Sequence, residues 1–193
     1  MADVNELVQA KARVGGLAYR ADLGTALPVD AFTVLVAGYK ALGIAGEDGV
    51  SFSEERSTED VKDMNGNIVR TLQTEYGHTF TVALISSAND EVKKLVHGET
   101  NVTITPATSL VAKSYVTLLN SKELPTGVIV LESADEVNNV LIRRVYPIAK
   151  VTEVGEYTWV GSDVVRHELT IKAYPDAAGN AGYEYERVGE PTA

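Results

Sequence analysis

The sequence predicts a mainly β protein: an antiparallel β-sandwich or barrel with one flanking helix and a long early loop. Many short apolar or alternating stretches are separated by turn residues, which is typical of antiparallel strands. Only one segment has a clear helical stripe. The 193 residues contain no internal repeat or interdomain linker. We therefore expect one domain over residues 1–175, with an N-terminal arm at 1–13 and a flexible C-terminal tail at 176–193.

The first elements leave alternatives open. Residues 2–13 suit a short helix, or equally an ordered arm on a neighbouring subunit. Val14–Ala21 predicts a strand, and a turn-rich loop follows it. The apolar residues 31–45 fit helix or strand, and we favour a strand over Lys40–Ala45.

An acidic, serine-rich segment comes next. Between Glu47 and Asp63 it has two bases, Arg56 and Lys62, and seven acids: Glu47, Asp48, Glu54, Glu55, Glu59, Asp60 and Asp63. The resulting net charge of −5 is half of the −10 of the whole chain. Because isolated buried carboxylates are costly, this segment is expected to be a solvated loop or to contact something outside its own domain.

Two strands are predicted after the acidic segment. Asn65-Gly66 is a turn dipeptide that favours positive φ. Residues 76–85 alternate between apolar and small or polar side chains, as a half-buried strand does. We place the turn between the two strands at Glu75-Tyr76-Gly77.

One helix is predicted near residue 90. Ser87 and Asp90 have the spacing of a capping box, with Asp in place of Glu. Val92, Leu95 and Val96 form an i, i+3, i+4 stripe, and Gly98 is a suitable C-terminal stop. A short helix with one apolar stripe needs a sheet to pack on.

The rest of the chain is predicted as strands, followed by the tail. The segments concerned are Asn101–Thr105, Leu110–Leu119, Val128–Glu132, Val140–Val151, Glu156–Val160 and Val164–Tyr174. The last of these alternates clearly, with His167, Leu169 and Ile171 on one face.

Composition narrows the possible functions. The net charge of −10 and the isoelectric point near 4.8 disfavour nucleic-acid binding, although they suit a surface that DNA must slide past. The chain has no cysteine, which excludes disulfides and thiolate sites. No apolar run approaches the ~18 residues of a spanning helix, so we expect no membrane insertion.

Known catalytic patterns are not found in the sequence. His78, His97 and His167 match no zinc-binding spacing, and there is no nucleophile elbow, P-loop or dinucleotide fingerprint. We predict no catalytic, cofactor-binding or metal-binding residues. A small enzyme or ligand-binding β-barrel is accordingly the weaker hypothesis, and a structural assembly protein the stronger one.

An ordered series of short motifs resembles a known family. The series is Leu42-Gly43, Glu47-Asp48-Gly49-Val50, Ser57-Thr58-Glu59-Asp60-Val61-Lys62 and Asn65-Gly66-Asn67-Ile68-Val69-Arg70-Thr71. It resembles the major tail proteins (tail tube proteins) of siphophages, especially those of actinobacteriophages. The family often has an aromatic residue where Asp63-Met64 stands in this chain. More weakly, the resemblance extends over about residues 14–175.

The resemblance implies a tail-tube fold and a structural virion protein, not an enzyme. Family members form hexameric rings that stack into the hollow tube conducting phage DNA into the host, without specific DNA binding. Implied partners are the tape measure protein, the tail terminator and the distal tail or baseplate protein. The expected location is the virion tail, with assembly in the host cytoplasm. A tube subunit of a related injection or secretion machine and a head-decoration protein remain alternatives, since fold alone does not separate them.

The resemblance also implies that residues 46–65 form a long acidic inter-ring loop. We expect this loop to be disordered in the monomer and to order on assembly. Its acids would then pair with bases on the next ring, and the candidate bases are Arg13, Arg20, Arg70, Arg143, Arg144 and Lys150.

Overall fold

Antiparallel strands build most of the protein in the computed structural model, which describes residues 8–13 and 15–189. The strands are β1 Lys11–Ala12, β2 Ala18–Ala21, β3 Lys40–Ala41, β4 Ala45–Lys62, β5 Ile68–Leu84, β6 Val102–Thr105, β7 Ser114–Thr117, β8 Thr126–Asp135, β9 Val140–Val154, β10 His167–Tyr174 and β11 Tyr183–Val188. Within the described residues the one α-helix is α1, Asp90–His97, followed by a 3-10 turn at Glu99–Asn101. The predicted mainly β class with one helix is confirmed.

Nine strands form one sheet, and β6 and β7 form a separate two-stranded sheet. The order across the large sheet is β3-β2-β8-β9-β10-β5-β4, with β1 also paired to β8 and β11 also paired to β9. Strand β9 is central: its first half lies beside β11 and its second half beside β10, while β8 runs along its other edge.

The core lies between the sheet and α1. The helix buries Val92, Leu95 and Val96 in a cluster with the inward side chains of β5, β9 and β10. Val128 and Val130 of β8 belong to a second cluster on the other face of the sheet, packed with Leu35 and Tyr39. Strand β8 is therefore buried on both faces, which explains why its sequence is a continuous apolar run.

The helix begins later than its sequence predicts. Asn89, not Ser87, is the N-cap: its side-chain oxygen accepts hydrogen bonds from the backbone N–H groups of Glu91 (2.9 Å) and Val92 (3.3 Å). Asn is as good a cap as Ser, so the capping-box spacing alone did not settle the register. The predicted stop at Gly98 is confirmed, since its φ is 95° and its N–H bonds the Lys94 carbonyl.

The predicted acidic loop over residues 46–65 is wrong as a loop. Residues 45–62 form the 18-residue strand β4, which pairs with β5 at Ala45 and, after an irregularity, from Val50 to Lys62. Cross-strand hydrogen bonds satisfy the backbone while the carboxylates remain in water, so an acidic strand avoids the cost of burial. The turn at Asn65-Gly66 is confirmed, with a φ of 85° at Gly66.

The turn predicted at Glu75-Tyr76-Gly77 is also wrong, because β5 continues through it. The register shifts nearby: Ser57 is opposite Glu75, but Thr58 is opposite Gln73, so Thr74 is an extra residue in β5. A β-bulge of this kind interrupts sequence alternation without ending the strand.

Both chain ends differ from expectation where they are described. Lys11–Ala12 is a strand paired with β8 rather than part of a helix, and the earlier residues 1–7 of the predicted arm lie outside the described residues. The flexible tail predicted for 176–193 is wrong for residues 183–188, which form β11 against β9. Tyr183 and Tyr185 pack on the second cluster, which supplies the apolar contact that fixes this strand.

Several other strands have different bounds from those predicted. The segment Glu156–Val160 is not a strand; β9 ends at Val154 and irregular backbone follows. The strand predicted over Leu110–Leu119 is reduced to Ser114–Thr117. The alternating strand predicted over Val164–Tyr174 is confirmed from His167 onward, since His167, Leu169, Ile171 and Ala173 are buried, whereas residues 164–166 lie before the strand.

Candidate assembly interface

The outer part of the β4–β5 hairpin leaves the body of the protein as a ribbon, which we define as residues 54–76. Its side chains are exposed apart from Asp63, which is half-buried. Strand β5 pairs with β10 only from His78 to Leu84, so beyond that point β4 is its sole partner. At about 3.3 Å per residue, each strand of the ribbon extends roughly 30 Å.

Both edges of the ribbon are therefore unpaired within the described part of the chain. A two-stranded hairpin without further packing is at best marginally stable in water. Unpaired strand edges are also templates for pairing with another chain. The ribbon has the properties of an element that is completed by a partner.

The tip of the ribbon is a tight turn held by Asp63. Its carboxylate accepts hydrogen bonds from the backbone N–H groups of Asn65 and Asn67, each at 2.8 Å, and from the Asn67 side chain at 3.0 Å. These bonds, led by that of the Asn67 side chain, lower the pKa of Asp63. Asp63, predicted as a contact acid, is thus already committed to the turn.

Apolar side chains are exposed around the tip, although the sequence of the segment is mainly acidic. Met64 is fully exposed, and Ile68 and Val69 are 58% and 63% exposed. Val61 and Leu72 add to this group at 41% and 38%. An apolar tip on an otherwise polar ribbon is a suitable contact for another protein surface.

The remaining predicted contact acids differ in whether they already have a hydrogen-bond or ion-pair partner within the subunit. Asp60 accepts a hydrogen bond from Thr71 at 2.7 Å, and Asp48 lies 3.6 Å from Arg166. Glu54 lies between Arg56 and His78, at 3.5 and 3.6 Å. Within residues 8–13 and 15–189, no ion pair is found for the other three, which are Glu47, Glu55 and Glu59.

Two of the predicted basic partners are buried inside the subunit. Arg143 is 0% exposed and bonds Glu132 as well as the backbone carbonyls of Asp30 and Thr33, at 2.6 and 2.7 Å. Arg20 is 3% exposed and pairs with Glu91 and Glu99. Neither side chain reaches the surface, so both are unsuited to the contact predicted for them.

The other four basic candidates are nearer the surface. Arg13 lies 3.5 Å from Glu132, Lys150 lies 2.8 Å from Glu123, and Arg144 pairs with Glu184. Arg70 is exposed on the ribbon itself, opposite Val61, and the described residues provide it with no ion pair. Alternation cannot distinguish these cases, because burial of an arginine depends on distant partners.

The root of the ribbon is fixed to the body by an aromatic contact. Phe80 stacks on Tyr146 of β9 with ring centroids 4.5 Å apart, and His78 Nε2 lies 3.1 Å from the Tyr146 hydroxyl. Burial raises the pKa of Tyr146 to about 12 and lowers that of His78. A groove of about 580 Å³ opens beside this contact, and the Arg144 guanidinium stacks on Phe52 at its wall.

A second surface was missed by the sequence reasoning: the outer face of β4, β5, β10 and β9, opposite α1. Register places one row of side chains across it in the order Ser53, Thr79, Lys172 and Lys150. The next row contains Ser51, Thr81 and Thr170, and the last two hydroxyl oxygens are 3.5 Å apart. These side chains are exposed or half-exposed. Alternation in β10 could have indicated the Thr170 and Lys172 face, but not its neighbours.

No group of three or more histidine or acidic side chains suited to a metal ion occurs in the described part of the chain. Over the same residues, none of the helices has the length and apolar character required to cross a bilayer.

The chain was compared with known proteins. No protein-family model and no curated protein matches it. Solved structures with a similar course of the chain include the sheath–tube complex of the extracellular contractile injection system PVC in its extended state (TM-score 0.46, 9% identity, covering 90% of this chain and 89% of that one). A second is the tail of an empty GTA particle refined with C6 symmetry (TM-score 0.43, 9% identity, covering 81% of this chain and 89% of that one). A third is the tube-terminating cap of the anti-feeding prophage (TM-score 0.44, 10% identity, covering 98% of this chain and 100% of that one).

Proposed function

We propose that this protein is a structural subunit of a phage tail tube, a major tail protein that polymerises as stacked hexameric rings into a hollow conduit for DNA. The observation that carries the proposal is the ribbon. Within the described residues both edges of the ribbon are unpaired and its apolar tip is exposed. Glu55 and Glu59 on the ribbon, and Glu47 just before it, form no ion pair there. These features suit the ribbon for contact with another copy.

Self-association of a subunit with a heterologous contact suits a tube. A surface that binds a different surface on the next copy closes into rings or extends into filaments. The ordered motif series from Leu42 to Thr71 supports the same assignment, because most of it falls on the hairpin that forms the ribbon. The setting is accordingly a virion tail, with the tape measure, terminator and distal tail proteins as further partners.

In this proposal the ribbon, not a flexible loop, spans adjacent rings. Its apolar tip packs on the next ring, and Glu55 and Glu59 supply charged contacts around it. Of the original basic candidates, Arg13, Arg70 and Arg144 stay available for that contact.

A shortened variant tests the role of the ribbon. Glu55 and Gly77 are directly opposite each other, so residues 56–76 can be replaced by an Asn-Gly turn that closes the hairpin. We expect this variant to fold with wild-type circular dichroism and thermal stability, because the ribbon contributes nothing to the core. By analytical ultracentrifugation it should stop at monomers or single rings at concentrations where the full chain forms tubes.

A matched control is Met64→Ser with Ile68→Ser, which removes the apolar tip but keeps the ribbon. We expect weakened rather than abolished assembly. Equal assembly of the shortened and full chains would contradict the role given to the ribbon.

A further inference from the structure

The outer face of β4, β5, β10 and β9 carries an unusual pairing of like charges. Lys172 and Lys150 are directly opposite each other on adjacent strands. Like charges in this position destabilise a sheet. The Lys172 ammonium has no ion pair among the described residues, and Lys150 has only Glu123, a side chain that is 88% exposed. An exposed pair of this kind contributes little, so it does not account for the lysines.

Hydroxyl groups flank the two lysines along the same row. Ser53 and Thr79 precede Lys172 on β4 and β5, and Thr126 follows Lys150 on β8. With strands about 4.8 Å apart, the row spans roughly 19 Å. Lysine ammonium and serine or threonine hydroxyl groups are among the groups that contact phosphate oxygens without regard to base sequence.

We infer that this face is the wall of the channel and that the row from Ser53 to Thr126 contacts the phosphates of the nucleic acid passing through it. The inference rests on the proposed tube function. The ligand is the phosphodiester backbone. Lys150 and Lys172 of each subunit then form a narrow cationic band on the channel wall.

The surroundings of the row keep these contacts weak. Glu168 and Glu153 stand on the rows to one side, and Glu55 lies on the row to the other side. A subunit of net charge −10 with one exposed and one half-buried lysine at this position touches a polyanion but does not hold it. The helix and the main core lie on the other face, so this one is free to border a lumen.

Cysteine labelling of assembled tubes tests the placement. The chain has no cysteine, so single substitutions give clean probes. Ser53→Cys reports on the row, and Ser109→Cys is a matched control in the exposed connection between β6 and β7. Tyr115 of that hairpin bonds Asp90 of α1 at 2.7 Å, so the control lies on the helix side.

A lumen position should react with a small maleimide but not with a large polyethylene-glycol maleimide, whereas Ser109→Cys should react with both. Reaction of Ser53→Cys with both reagents would place the face outside the tube. Protection from both would place it against a second copy, and either result overturns the inference. Failure to form tubes at all is a different outcome, which would count against the proposed function.

The phosphate contact is tested on unassembled subunits with a short fluorescein-labelled DNA duplex at low salt. Lys150→Gln with Lys172→Gln should weaken binding at least about fivefold and reduce the slope of log affinity against log salt by about 2. Lys11→Gln with Lys62→Gln removes the same charge from β1 and β4 and should change both quantities much less. Equal effects of the two pairs, or no measurable binding by the wild type, would overturn the assignment.

Discussion

At the scale of single residues, Arg143 is the centre of a buried network of charged and polar groups. It is fully buried, and its guanidinium joins Glu132 to the carbonyls of Asp30 and Thr33. Glu132 is itself only 4% exposed. The network therefore fastens the loop between β2 and β3 to the centre of the sheet.

Replacing Arg143 should be severely destabilising. Arg143→Met leaves the Glu132 carboxylate buried with only the marginal contact to Arg13, and breaking a buried pair in this way costs about 3–5 kcal/mol. Urea unfolding followed by circular dichroism measures the loss. Arg144→Met is the matched control on the next residue. Its surface pair with Glu184 is worth about 0–1 kcal/mol and its stacking on Phe52 about 0.5–1 kcal/mol, so its loss should be clearly smaller. Similar losses for the two variants would contradict the account.

The histidines should make stability depend on pH. Burial lowers the pKa of His167, His97 and His78, and the closeness of the first two, with ring centroids 6.5 Å apart, lowers that of His167 further. Below the unfolded-state pKa of about 6.5, the unfolded chain therefore binds more protons than the folded one. Stability is fully present above that pH and falls as the pH drops towards the folded pKa values.

Urea midpoints at about pH 7.5 and about pH 5.5 measure this loss, since the carboxylates titrate mostly below that window. His167→Phe keeps a ring against Tyr157, whose centroid is 4.8 Å away, and should reduce the difference between the two midpoints. A wild-type midpoint that rises at the lower pH would contradict the prediction.

At the scale of elements, the helix depends on its cap. Asn89 accepts two backbone hydrogen bonds and donates one to the Ala41 carbonyl at 3.1 Å, which also ties α1 to β3. Asn89→Ala should cost about 1–2 kcal/mol in urea unfolding, a loss typical of a good cap. Ser87→Ala, at the position favoured by the sequence pattern, should change stability by less than about 0.5 kcal/mol. The reverse order of effects would show that the cap is assigned to the wrong residue.

Prediction from sequence succeeded for elements whose pattern is set locally. The alternation of β10, the apolar stripe of α1 and the turn at Gly66 follow from spacing and backbone preference, and all three are found. The acidic strand β4 was mistaken for a loop because both of its faces are solvated, which removes the alternation that identifies a strand. Strand β11 was mistaken for a tail because its order comes from pairing with β9, a contact that its own composition does not specify.

The candidate contact residues show the same limit. The acids of the segment are exposed apart from Asp63, which is half-buried, and the described residues offer no ion pair to Glu47, Glu55 or Glu59. The bases could not be ranked, because an arginine in a strand has the same local sequence whether it is buried, as Arg143 is, or exposed, as Arg70 is. The pairing of Lys172 with Lys150 depends on the register between β10 and β9, which the sequence of neither strand specifies.

At the scale of the whole molecule, the architecture is incomplete by itself. Within the residues that the structure describes, one face of the large sheet packs on α1 and part of the other is polar and open. The ribbon extends away from the sheet, and neither of its edges is paired with another described strand. A monomer of net charge −10 gains nothing from random self-contact, since like charges repel. Association therefore requires a specific surface, and the ribbon with its apolar tip is the element suited to provide it.

Negative-stain electron microscopy of the purified full chain, at low and then high concentration, tests this account most directly. We expect hollow rings, and tubes of stacked rings as the concentration rises, with the ribbon bridging successive rings. Solid particles, or a fixed small dimer without a central channel at every concentration, would contradict the assignment of a tube subunit.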